Sequence, residues 1–227
     1  MSKMNYQVID YSQNNKSGEE NKTNKETSSI IAKDWFDYMN YLSGYDNVIN
    51  FSWRKKSLSK QERKEIRSAL KEIDEVTGIT FKKTSKKHDD LRFIYVKEIT
   101  DSTRLEIQES AENIFEDAVV GRASARRNRI KIFVKDDDNI VDYRERYILR
   151  HEIGHALGLG HPNGEGSNPD WDVSDTIMSY NVWSGPGIFT YYGFTDLDKQ
   201  ALSELWGPSS PQKNSPADIV ENINMPV

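Results

Sequence analysis

His151-Glu152-Ile153-Gly154-His155-Ala156-Leu157-Gly158-Leu159-Gly160-His161 is the stretch on which the reading of this chain turns. On an α-helix, residues four apart lie about 40° apart around the axis, so His151 and His155 face the same way and can share one metal ion. Glu152 is rotated from that pair by about 100°, which suits a proton-handling group beside the metal better than a third ligand. Gly158 can take the left-handed conformation that ends a helix and Gly160 loosens the return, so His161 can swing back toward the imidazole pair. Three histidines with one open position is the donor set of a catalytic zinc, because a closed four-ligand site leaves no place for water or substrate. The pattern H-E-x-x-H-x-x-G-x-x-H arises by chance in a chain of this composition with odds on the order of one in 10⁵. The sequence holds 4 histidines, and three of them fall in these eleven residues. Gly154, inside the helix, costs roughly 1 kcal/mol relative to alanine, which implies that something packs close to it.

The surrounding segments supply the frame. Asp142 can cap the helix that carries the motif, and Tyr147, Ile148, Ile153 and Leu157 give it an apolar face. Val48–Trp53 alternates as a strand, and Ser59 with Glu62 forms a capping box before a helix that Gly78 stops. Ile79–Thr84, Leu91–Ile99 and Arg129–Val134 predict further strands, with a weaker one at Val119–Ser124. Thr195 with Asp198 opens a last helix, closed at Gly207. Strands with one helix, followed by two helices, make an α+β or mixed α/β domain.

Composition sets the outer limits. The chain has 227 residues, enough for one domain with tails, and no cysteine, which removes thiol nucleophiles, cysteine-ligated metals and disulfides. A net charge of -5 argues against nucleic-acid binding, and no run approaches the length of a membrane span. Residues 1–29 are polar and read as a flexible arm, 30–207 as one domain, and 208–227, with four of the 7 prolines, as an irregular tail. The polar opening carries no apolar leader, so export by a signal-independent route, prior removal of a leader, a cytosolic life and injection as an effector all stay open. His88, among lysines and aspartates, reads as a loop residue. Asp170, Asp172 and Asp175 can be asked to bind Ca²⁺, but they lack the spacing of a dedicated loop.

The long motif, followed by Thr176-Ile177-Met178-Ser179-Tyr180, resembles the metzincins, zinc endopeptidases with a methionine turn beneath the metal. HEIGHALGLGHP with TIMSY is most similar to serralysin-type members, with matrixins as the next relatives. The resemblance implies a twisted, mostly parallel sheet of about five strands, an active-site helix and a C-terminal helix. It makes His151, His155 and His161 the ligands of one Zn²⁺, Glu152 the general base and acid, and Tyr180 an oxyanion-stabilising residue. Met178 is expected to fill space under the site without chemistry. Val119–Ser124 matches the substrate-binding edge strand of the family. The sequence after the turn, with Trp183, Phe189, Tyr191, Tyr192 and Phe194, reads as an aromatic-rich loop that can wall an apolar pocket for the residue after the cleaved bond.

Two departures from these relatives stand out: the calcium-binding glycine repeats of serralysins are missing, and no cysteine exists to hold zinc latent as in matrixins. An inhibitory arm would have to use a carboxylate such as Asp10. The expected partner is a protein or peptide substrate, acted on outside the cell by a monomer, with no nucleic acid and no membrane. Two rivals remain at this stage. One is a gluzincin-like site with a downstream carboxylate as third ligand. The other is a catalytically silent, zinc-stabilised protein-binding module, for which a retained Glu152 would have no use.

Overall fold

A computed structural model of the chain describes residues 25–53, 58–85, 87–97, 99, 121–126, 128–135, 141–181 and 193–209. Five strands form one sheet: β1 (Val48–Trp53), β2 (Thr80–Lys83), β3 (Leu91–Val96), β4 (Gly121–Arg126) and β5 (Arg129–Lys135). Their order is β2-β1-β3-β5-β4, parallel throughout except for β4, which runs antiparallel along β5 at the edge. Four α-helices accompany them: α1 (Lys33–Leu42), α2 (Lys60–Asp74), α3 (Tyr143–Ala156) and α4 (Asp196–Trp206). This is the mixed α+β architecture read from the order of elements, with the mostly parallel five-stranded sheet that the resemblance implies.

Local chemistry fixes the helices. The Ser59 hydroxyl accepts the Glu62 N–H at 3.1 Å, and the Glu62 carboxylate accepts the Ser59 N–H in return, so the α2 capping box is complete. Asp142 accepts the Glu145 N–H at 2.9 Å to start α3. That helix ends where the sequence places its stop. Gly158 has φ +104°, the Leu159 N–H reaches back to the Gly154 carbonyl at 2.8 Å and the Gly158 N–H to that of His155 at 3.0 Å. These are the paired bonds of a Schellman turn, which needs a residue tolerant of positive φ.

The core is continuous from the sheet to the helices. Ile49, Phe93 and Ile132 of the sheet, Ile66 and Ile73 of α2, and Ile153 of α3 are all essentially inaccessible to solvent. Helix α3 is buried on every side from Tyr147 to Ala156, and its Arg150 is lashed to α2: Nη1 donates to Glu65 at 2.6 Å, Nε to Glu72 at 3.1 Å. Burial works against the guanidinium charge, but Glu72 and Glu65 outweigh it and hold the Arg150 pKa above its ordinary value. Ion pairing of this kind locks the orientation of the helix that carries the histidines.

Four details differ from the sequence expectation. Helix α1 is an addition. The structured body also begins earlier than residue 30: Thr27–Ile30 forms a 3-10 turn, Ile30 is fully buried, and Lys25 is ion-paired to Asp175. Polar composition alone hid this strap, because it is held by backbone pairing. The Ala32 N–H donates to the Gly158 carbonyl and the Gly160 N–H to that of Ile30, both at 2.8 Å. Third, the edge strand runs over Gly121–Arg126, while residues 119 and 120 of the expected strand lie outside the described residues. The expected Leu91–Ile99 strand stops at Val96.

Candidate metal centre

One helical turn apart on α3, the imidazoles of His151 and His155 bring their Nε2 atoms to 3.1 Å. The bend after Gly158 returns His161 to them, with ring centroids 4.8 Å from His155 and 5.6 Å from His151. One nitrogen from each of the three rings lies within 4.8 Å of the others. His151 and His155 are buried and His161 is partly open, so the cluster has a protein floor and an accessible side.

The opposite ring nitrogens decide the protonation. His151 Nδ1 lies 2.6 Å from the Ile177 carbonyl and His155 Nδ1 2.9 Å from that of Leu159. A carbonyl oxygen only accepts, so each Nδ1 carries the proton and each Nε2 presents a lone pair. Two lone pairs facing each other at 3.1 Å repel unless a cation lies between them. Zinc–nitrogen bonds of about 2.0–2.1 Å at tetrahedral angles separate ligand nitrogens by roughly 3.3 Å. The donor chemistry and spacing of the three histidines thus fit a zinc ion, and the carbonyl partners supply the second contacts that fix ligating imidazoles.

The turn over Thr176–Tyr180 lies against this cluster. Met178 is fully buried, and an alanine methyl at Gly154 would stand 2.7 Å from its Sδ. That contact is the close packing that the glycine inside the helix implies. Tyr180 places its hydroxyl 2.7 Å from His161 Nε2, and its own N–H is held by the Gly166 carbonyl at 2.8 Å. Glu152, 1% exposed, lies on α3 beside the start of β4.

Three further residues hold the site together without a strong mark in the sequence. The Tyr147 hydroxyl donates to the Ser179 carbonyl at 2.5 Å and stands 3.4 Å from His151 Nδ1. Its position four residues before His151 was the available clue. Asp198, the capping-box residue of α4, also accepts the Ile177 N–H at 3.0 Å and the Thr176 hydroxyl at 2.5 Å. Burial pushes its carboxyl above the usual carboxylate range, against the hydrogen bonds from Ile177, Thr176 and Thr195 that favour the charge. Trp35 of α1 packs near His155, ring centroids 6.3 Å apart.

Other candidate residues fall elsewhere. His88 is an exposed loop residue outside the cluster. Asp172 accepts from the N–H and hydroxyl of Ser174 at 2.7 and 2.6 Å, and Asp175 takes the Asp172 N–H and the Lys25 ammonium. Lys25 thus supplies the positive charge at the place where a calcium ion was considered. Of the aromatic loop, Phe194 is core, while Trp183, Phe189, Tyr191 and Tyr192 lie outside the described residues.

Comparison with known proteins agrees with this geometry. A family model described as matrixin matches residues 47–168, just over half of the chain and inclusive of all three histidines. The turn with Met178 and Tyr180 follows the matched span. No curated protein matches the chain. With the strand order, the histidine cluster and the matched segment in agreement, this chain belongs to the matrixin family of zinc-dependent metalloproteases.

Proposed function

We propose that the protein is a zinc endopeptidase in which His151, His155 and His161 hold the metal and Glu152 handles the protons. The observation that carries this is the pair of Nε2 lone pairs at 3.1 Å, each fixed by a carbonyl on its Nδ1, beside a buried glutamate on the same helix. When bound, zinc lowers the pKa of a water in the open position and polarises the peptide carbonyl. Glu152 takes the proton from the attacking water and returns it to the departing amine. Tyr180 donates a hydrogen bond to the oxygen that gains negative charge. The Tyr180 hydroxyl, 2.7 Å from His161 Nε2, stands at the edge of the histidine cluster where this role requires it.

The edge position of β4 supports extended binding of substrate, since its outer side offers backbone groups to which a peptide can add as a strand. The resemblance of TIMSY and the histidine motif to serralysin-type enzymes supports extracellular action, and the aromatic residues Trp183, Phe189, Tyr191 and Tyr192 in the sequence after the turn support a preference for an apolar residue after the cleaved bond. In this reading the catalytic unit runs from the strap at residue 25 through Gly207 and acts as a monomer. No helix among the described residues is long and apolar enough to cross a membrane.

The test is direct. Zinc analysis should give one ion per chain, and casein or peptide cleavage should be lost on chelation and in Glu152→Ala. Cleavage that survives both changes would refute the reading. Zinc binding without any cleavage by the native protein would favour a silent binding module instead.

A further inference from the structure

Gly121 is the first residue of β4, and its backbone needs no glycine: its φ lies outside the positive range, and its pairing with Val134 of β5 is ordinary antiparallel strand. Glycine weakens a strand because it has no side chain to pack, and it marks places where something must approach closely. Here the approaching group is α3. A methyl on Gly121 would stand 2.4 Å from Ile148 Cγ2, 2.7 Å from Glu152 Oε1 and 3.2 Å from Glu152 Cγ. Ile148 and Glu152 are one helical turn apart and both are buried, so the two side chains reach the strand side by side.

The backbone on either side has little room to yield. From Gly121 to Arg126, β4 is paired residue by residue with β5, and α3 is fixed to α2 through Arg150. Of the two side chains in the way, Ile148 is stiff at its branched Cβ and packed in the core. The Glu152 carboxylate, at the end of an unbranched chain, is the group that would move. We infer that Gly121 is a positioning residue for Glu152: the missing side chain is the space that the carboxylate occupies when it meets water and the departing amine. This rests on the role of Glu152 proposed above.

The experiment compares Gly121→Ala with the native zinc-loaded protein, each also in an Ile148→Leu background that removes the Cγ2 methyl while keeping the volume. The expected result is a fall in kcat of about tenfold or more, with KM and zinc affinity held within about twofold, because a misplaced catalytic group affects the chemical step. That fall persists in the Ile148→Leu background, and crystal structures of native and Gly121→Ala protein show the carboxylate displaced. Recovery of kcat to the Ile148→Leu level, or a carboxylate unmoved while Ile148 or β4 shifts, would overturn the inference. The crystallographic comparison decides it even for a protein that cuts nothing. Absence of cleavage by native protein speaks instead against the endopeptidase reading.

Discussion

Asp198 accepts the backbone N–H of Ile177 at 3.0 Å, and the carbonyl of the same Ile177 receives the Nδ1 proton of His151 at 2.6 Å. The backbone of one residue therefore connects the start of the last helix to the first histidine of the cluster. Asp198→Ala leaves the Ile177 and Thr195 N–H groups and the Thr176 hydroxyl facing an emptied site. Each hydrogen bond to a charged acceptor is worth about 1.5–3 kcal/mol, so a loss of at least about 3 kcal/mol is expected. Urea denaturation of the apoprotein measures this, and chelator competition should show weaker zinc binding in parallel.

Tyr147→Phe removes the hydroxyl that ties α3 to Ser179 and leaves the ring in place. The expected effect is on the metal more than on the fold. Partners behind a ligating histidine typically contribute 10- to 100-fold in affinity, and a loss of about tenfold is expected by chelator competition. Unchanged affinity would make Tyr147 a packing residue only.

Tyr180→Phe separates metal binding from turnover. Zinc affinity should hold, since the phenylalanine keeps the ring in place and all three histidines are retained. Removal of a hydrogen-bond donor to a developing oxyanion costs on the order of 100-fold in kcat, with KM little changed. Steady-state kinetics on a quenched-fluorescence peptide checks both.

At Gly154 two effects oppose each other. Alanine is better in a helix by about 1 kcal/mol, but its methyl would sit 2.7 Å from the Sδ of a fully buried Met178. Overpacking a tight core costs about 1–3 kcal/mol, so Gly154→Ala is expected to be destabilising by roughly 1 kcal/mol. A rise in the urea midpoint would show that Met178 moves aside at little cost.

Zinc removal should lower the melting temperature, with recovery on adding one equivalent. A ligand that binds only the folded state contributes about 4 kcal/mol at a thousandfold excess over its dissociation constant. Differential scanning calorimetry with and without chelator measures the shift.

Where the sequence was legible, the signals were local. The three histidines, the Ser59 and Thr195 capping boxes and the stop at Gly158 are each written within a dozen residues, and each is found as read. Helix α1 was missed although Trp35, Phe36, Met39 and Leu42 have helical spacing, because Ala32 at its start makes no side-chain cap. The strap and the Asp198 link were illegible for a different reason. They join segments more than twenty residues apart through backbone groups or an already satisfied cap, and neither leaves a pattern in composition or periodicity.

The pairing of Ile30 and Ala32 across Gly158 and Gly160 has a consequence for biosynthesis. The bend that delivers His161 is clasped by residues translated far earlier, while the turn behind His151 hangs on Asp198, translated later. A nascent chain emerging from the ribosome can display two histidines on a helix, but the turn behind His151 gains its anchor only when the Asp198 segment has been made. Assembly of the histidine pocket is thereby deferred to the last helix of the domain.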